Sequence, residues 1–189
     1  MGIPLTEMRS KTSIVTMQYS PPAVLLLCLL SLSSLCSAAG VSEVGTEAGS
    51  YAPPFTLTDI SGRAVSLESL RGQVVLLNFW SMLCAPCMAE MPSLNRLFLT
   101  LKDKGLQVIA VSIDPSDKPV RDYVAKNNIA FLVLLDAGKE VYGKAYAGPA
   151  LPATYLIDRN GIIVESFSGL EVWDAPEMMK RVQMLLGQK

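Results

Sequence analysis

The chain has 189 residues, 16 basic and 17 acidic side chains, a formal charge of −1 and no histidine. That length suits one domain plus a processing segment, and nothing in the balanced charge points to an electrostatic nucleic-acid surface. The lack of histidine excludes serine–histidine triads, histidine-ligated metals and histidine general bases.

Residues 1–39 differ from the rest. Arg9 and Lys11 precede an apolar run over residues 23–35, followed by the small residues Ser37, Ala38, Ala39 and Gly40. A basic flank, a short apolar stretch and a small-residue end form a secretory signal peptide, with cleavage expected after Ala39. The alternative is an uncleaved anchor, because residues 23–41 approach the length of a spanning helix. Lipid attachment at Cys36 is disfavoured by the bulky Leu35 before it. The basic flank also lies far from the apolar run, which makes Met8 an alternative start. Cleavage would leave 150 residues with 14 basic and 16 acidic side chains, enough for a single core. Of the four cysteines, Cys28 and Cys36 lie in this segment, so the processed chain keeps only Cys84 and Cys87. A disulfide scaffold needs more cysteines at wider spacings.

Residues 40–54, rich in Gly, Ser and Glu and ending in Pro53-Pro54, read as an extended lead-in. The period-two stretches at 55–58 and 64–67, joined at Ser61-Gly62, predict a β-hairpin. One helical turn follows over residues 66–70, closed by Gly72. Residues 74–80 are almost continuously apolar, as in a central strand buried on both faces. From Ala85 a helical period places Met91, Leu94, Phe98 and Leu101 on one face until Gly105. Residues 107–113 form a second buried strand. Asp117 is expected to cap a helix with Pro119 in its first turn and Val120, Tyr123 and Val124 inward. Residues 131–135 give a third strand and 139–146 a short helix. Residues 154–158 and 162–167 form a hairpin with an Asn160-Gly161 turn. A last helix carries Met178, Val182 and Leu185 on one stripe. The expected class is a mixed α/β sandwich with helices on both faces of the sheet.

Chemistry concentrates in Trp80-Ser-Met-Leu-Cys84-Ala-Pro-Cys87. Cys84 falls where a buried strand ends and a helix begins, so free backbone N–H groups face its sulfur and favour the thiolate. Cys87, three residues on, lies over the same face within disulfide reach, more buried and with a higher pKa. The division of labour follows: Cys84 attacks a substrate disulfide and Cys87 resolves the mixed disulfide. Pro86 restrains the loop and suits a first helical turn. A half zinc site is the first alternative, but four ligands are needed and no other Cys or His remains once the first 39 residues are removed. A purely structural disulfide is the second, but so short a loop constrains the unfolded chain little.

The segment Asn78-Phe-Trp-x-x-x-Cys-x-Pro-Cys-x-x-Glu-x-Pro92, with Leu151-Pro152-Ala-Thr-Tyr-Leu-Ile-Asp downstream, resembles the TlpA/ResA-type exported thioredoxins. That group includes the CcmG/DsbE proteins. The resemblance runs from about Pro53 to the last helix. It implies a thioredoxin-like fold over residues 55–189, with an added helix and strand near residues 117–135. It also implies a cis Pro152 beside the dithiol, Leu151 offering backbone hydrogen bonds to a peptide, and Glu90 in the active-site cavity assisting proton transfer. A solvated first-turn Glu90 is the alternative reading. Asn78 stands where thioredoxin has a buried aspartate, and an amide cannot accept that proton. Trp80 supports the site by core packing rather than catalysis. Pro92 either kinks the helix or marks a later helix start. Many relatives carry Trp before the first cysteine where this chain has Leu83, so its docking surface differs.

The function expected is a thiol–disulfide oxidoreductase, acting as a reductase of protein disulfides outside the cytoplasm. It is expected to act as a monomer with no cofactor beyond the Cys84–Cys87 disulfide. The resemblance implies a DsbD- or CcdA-like membrane electron donor, a part in cell redox homeostasis and, as one substrate, oxidised apocytochrome c in cytochrome c maturation. A peroxiredoxin-like thiol peroxidase is the runner-up, since residues 51–80 resemble the opening of those enzymes. Peroxiredoxins, however, place Thr and Pro before a single peroxidatic cysteine, where this chain has Ser81-Met82-Leu83. A non-enzymatic binding module built on the fold's groove is the third possibility, and the intact dithiol argues against it.

Overall fold

In the computed structural model, residues 43–148 and 150–188 are described. The expected signal segment, with Cys28 and Cys36, lies outside them. Strand β1 (Thr56–Asp59) pairs antiparallel with β2 (Ala64–Ser66) as the predicted hairpin. After one 3₁₀ turn (Leu67–Leu70) come β3 (Val74–Trp80) and helix α1 (Ala85–Leu101). Next are β4 (Leu106–Ser112), α2 (Asp117–Lys126) and β5 (Leu132–Leu135). A π-helical turn (Val141–Ala145), β6 (Ala153–Ile157), β7 (Ile163–Ser168) and α3 (Pro176–Leu186) complete the chain.

The strands form one sheet in the order β2-β1-β5-β4-β3-β6-β7. Every residue of β3 is buried, which accounts for its nearly continuous apolar run, interrupted only by Asn78. It pairs parallel with β4 and antiparallel with β6. The α2–β5 segment is the added helix and strand implied by the resemblance. Strand β5 links the main sheet to the N-terminal hairpin through Thr58↔Leu135 and Asp59↔Leu134.

Side-chain alternation sorts the core into two layers. Val74, Leu76 and Trp80 face a cluster with Leu94, Leu101, Val120, Val124, Val182 and Leu185, so all three α-helices share one face. Val75, Leu77 and Phe79 face the other cluster, with Phe55, Leu67, Val141 and Tyr146. The lead-in, the 3₁₀ turn and the π-helical turn cover that second face. Full helices on both faces were expected. The two parallel crossovers, β3 to β4 and β4 to β5, step the same way across the sheet and therefore leave α1 and α2 on the same side.

Local differences have local causes. Helix α1 passes through Pro92 instead of starting after it. The missing N–H and ring clash cost about 3 kcal/mol. Met91, Leu94, Leu97 and Leu101 are each buried on that helix, at about 1.5–3 kcal/mol apiece, so burial prevails. Asp117 does not cap α2; Ser116 occupies that position and Asp117 pairs instead with Arg121, 2.7 Å away. The short helix expected over 139–146 is only the π-helical turn, preceded by Lys139 at φ +57°. The β6–β7 turn carries positive φ at Gly161 alone, not at Asn160. The Asp158 carboxylate receives the N–H groups of Asn160 and Ile162 and fixes a longer turn than two residues.

Candidate active site

Cys84 is the N-cap of α1, and Ala85-Pro86 open the helix. The Cys84 sulfur accepts the Cys87 N–H at 3.2 Å, and the Cys84 carbonyl accepts from Met88 at 3.1 Å. The two cysteines are joined as a disulfide with a Cα–Cα separation of 5.2 Å. Cys87 is fully buried in the helix-side core, whereas Cys84 is half-buried at its margin. Leu83, immediately before Cys84, is 91% exposed. Among the described residues no group of Cys, Asp and Glu is placed to hold a metal ion.

The loop before Cys84 is fastened by Asp114, which stands just beyond β4 and is buried. Its carboxylate accepts the Ser81 hydroxyl at 2.7 Å, the Met82 N–H at 2.9 Å and the Ser112 hydroxyl at 2.8 Å. Ser81 in turn accepts the Leu83 N–H through its hydroxyl oxygen and the Cys84 N–H through its carbonyl. Asp114→Ala leaves these buried donors unmatched and is expected to cost about 2–4 kcal/mol of unfolding free energy. Asp114→Asn, which keeps one acceptor oxygen, recovers part of that loss. Urea unfolding of the three proteins checks the order.

Glu90 lies three residues after Cys87, on the same inward stripe of α1. It is 1% exposed, so the solvated reading does not hold. One carboxylate oxygen receives Asn78 Nδ2 at 2.7 Å; the other receives Trp173 Nε1 at 3.1 Å and the Glu171 N–H at 3.4 Å. Asn78 Nδ2 also donates to Thr154 Oγ1 at 2.9 Å, while Asn78 Oδ1 has no partner among the described residues. Burial raises the pKa of Glu90 above the usual 4.5, against the lowering effect of the three donors. A carboxyl whose folded pKa is raised contributes stability that is full below its unfolded value and is lost as pH rises through the folded value. The stability of the native protein relative to Glu90→Gln is therefore expected to fall with rising pH across that window. Denaturant midpoints of both proteins from pH 4 upward test this, and parallel curves would contradict it.

The Leu151–Pro152 peptide is cis. Phe79 of β3 pairs with Ala153, so Pro152 lies one step further, level with Trp80 where the chain enters the Ser81-to-Cys84 loop. Leu151 is half-buried and packs against both core layers. Trp80 is fully buried against Tyr123, with ring centroids 5.7 Å apart, as core packing requires. Sequence reading brought together Cys84, Cys87, Pro86, Glu90, Trp80 and Pro152, and missed Asp114, Thr154, Ser93 and Trp173. Asp114 had a usable signal, an acid at the C-terminal end of a parallel strand beside β3. Trp173, in the loop after β7, had none.

A thioredoxin-like sheet presenting a Cys-x-x-Cys disulfide at a helix N-terminus defines a thiol–disulfide oxidoreductase. Residues 48–166 match the model of the AhpC/TSA family. The chain is 39% identical over 123 residues to the thiol–disulfide oxidoreductase ResA of Bacillus thuringiensis, covering 65% of this chain and 70% of that protein. The fold superposes, with a TM-score of 0.66 and 30% identity, on a Chlorobium tepidum protein assigned as the thiol:disulfide interchange protein DsbE; 76% of this chain and all of that one are covered. A secreted Mycobacterium tuberculosis disulfide oxidoreductase homologous to Escherichia coli DsbE gives 0.59 and 25%, covering 69% and 96%. The chain belongs to the AhpC/TSA family and is a thiol–disulfide oxidoreductase of the ResA type.

Proposed function

We propose that the protein is an exported, monomeric reductase of protein disulfides, with the Cys84–Cys87 pair as its redox group and no other cofactor. The observation that carries this reading is the asymmetry of the pair: Cys84 reaches solvent at the helix cap, while Cys87 is sealed behind it with the buried Glu90 one turn on. In the reduced protein, the Cys84 thiolate attacks a substrate disulfide and one substrate sulfur leaves as thiolate. Cys87 gives up its proton and attacks Cys84 Sγ; the second substrate sulfur leaves and the Cys84–Cys87 disulfide forms. Two electrons have passed to the substrate. Glu90 accepts the Cys87 proton, a task the Asn78 amide cannot perform. Leu151 offers its backbone to the substrate peptide beside Pro152, while Pro86 and Trp80 hold the helix start and the strand end in place.

Outside the cytoplasm no glutathione pool re-reduces the pair, so the donor is a membrane thiol protein of DsbD or CcdA type. The ResA and DsbE relatives, one of them secreted, support export through the segment before residue 40. No helix among the described residues is long and apolar enough to cross a membrane. Family resemblance supports oxidised apocytochrome c as one substrate. The reduction potential of the pair tests the direction. A value near that of thioredoxin, about −270 mV, is expected, and one near that of DsbA, about −120 mV, would overturn the reductase assignment.

A second reading, a thiol peroxidase, is favoured by the AhpC/TSA match. Peroxide consumption that needs Cys84 and proceeds without a disulfide substrate would support it over the reductase.

A further inference from the structure

Glu90 is held by a loop as well as by its own helix. Residues 169–175, between β7 and α3, fold back on α1 at three positions spaced three apart. Glu90 receives the Trp173 indole N–H and the Glu171 backbone N–H. Ser93 Oγ accepts the Trp173 backbone N–H at 3.2 Å and donates to the Glu90 carbonyl at 2.8 Å. Arg96 pairs with Asp174 at 2.5 Å. Trp173 is thus tied by side chain and main chain to the same turn of α1. It is fully buried and braced edge-on by Phe167, with ring centroids 5.2 Å apart. Burial alone does not bring a tryptophan a partner in this core, because the equally buried Trp80 has an Nε1 with none among the described residues.

We propose that Trp173 is a positioning residue for Glu90, fixing the carboxylate behind Cys87 and setting its proton affinity from the loop after β7. This rests on the proton-carrying role given to Glu90 above. An indole N–H donates only, so it favours the ionised carboxylate and opposes burial. The groups facing Glu90 are few. On its own helix α1, Cys87 stands one turn before it; on β3 the neutral Asn78 donates to it and is itself bonded to Thr154 of β6; on the loop, the Glu171 carboxylate disfavours a second negative charge. The Arg96–Asp174 pair lies further along, with its charges matched. Removing the indole donor therefore moves the titration of Glu90 upward, leaving the Asn78 amide and the Glu171 N–H as its donors.

The test is Trp173→Phe in the full chain, which keeps the ring against Phe167 and deletes the N–H. The first readout is the pH midpoint of the Glu90 carboxyl by carbon-13 NMR, which does not depend on turnover. An upward shift of about half to one pH unit is expected, a roughly three- to tenfold gain in proton affinity. An unmoved midpoint in the folded variant would overturn the proposal. If Trp173→Phe does not fold, Ser93→Ala frees the main-chain tether while keeping the indole. It is expected to give a smaller upward shift, and no shift counts against the proposal. The second readout is the pH profile of disulfide turnover. Trp173→Phe should displace it, and should have no further effect in a Glu90→Gln background. A shifted NMR midpoint with an unshifted turnover profile would leave the positioning role standing and refute the proton role of Glu90.

Discussion

Cys84→Ala is expected to reduce turnover of insulin or a peptide disulfide to the level of the buffer control, a loss of at least about a thousandfold. The reason is positional. Cys84 is the only described sulfur that caps a helix and reaches solvent, and its sulfur accepts the Cys87 N–H at the first turn of α1. Those dipoles favour the thiolate, which is the attacking species. Cys87 cannot stand in for it, being fully buried beneath the helix start. The variant should still fold, since a four-residue disulfide loop adds little stability. A circular dichroism spectrum like that of the native protein, with no turnover, is the full expected result. Undiminished reduction by the folded variant would refute the mechanism.

Cys87→Ala should leave the first attack intact and stop the second. With no neighbouring thiol, the mixed disulfide between Cys84 and substrate has no intramolecular route to resolution. Non-reducing gels are expected to show a 1:1 adduct that disappears with reductant and is absent from the Cys84→Ala, Cys87→Ala double variant. Catalytic turnover should fall as far as in Cys84→Ala, but by trapping rather than by lack of attack. Repeated failure to detect an adduct, with several disulfide substrates, would argue against the resolving role.

The legible part of the site was the part that is local in sequence. A strand end, a helix start and two cysteines three apart fall within eight residues, and helical spacing alone puts both sulfurs over one turn. The burial of β3 was equally plain, because a strand covered on both faces has no polar alternation. The course of α1 through Pro92 was less so. Beyond the first turn proline removes a hydrogen bond and clashes with the turn before it, and the burial of Met91, Leu94, Leu97 and Leu101 against β3 and β4 decides whether the helix tolerates it.

By itself the sequence determined the chemistry: which two atoms exchange electrons, which of them is offered to solvent, and that no histidine takes part. It also determined the sheet's central strands, since those rest on apolar runs along the chain, and the resemblance it carries placed the added α2–β5 segment. Only the tertiary structure decided the company of Glu90. Its donors come from Asn78 on β3 and from Glu171 and Trp173 beyond β7, the last 83 residues away. The protonation of a carboxyl depends on the water withdrawn from it and the donors aimed at it, and both are properties of space rather than of the chain. The fastening of the Cys84 loop by Asp114 has the same origin, since it exists only because parallel pairing sets the end of β4 beside the end of β3.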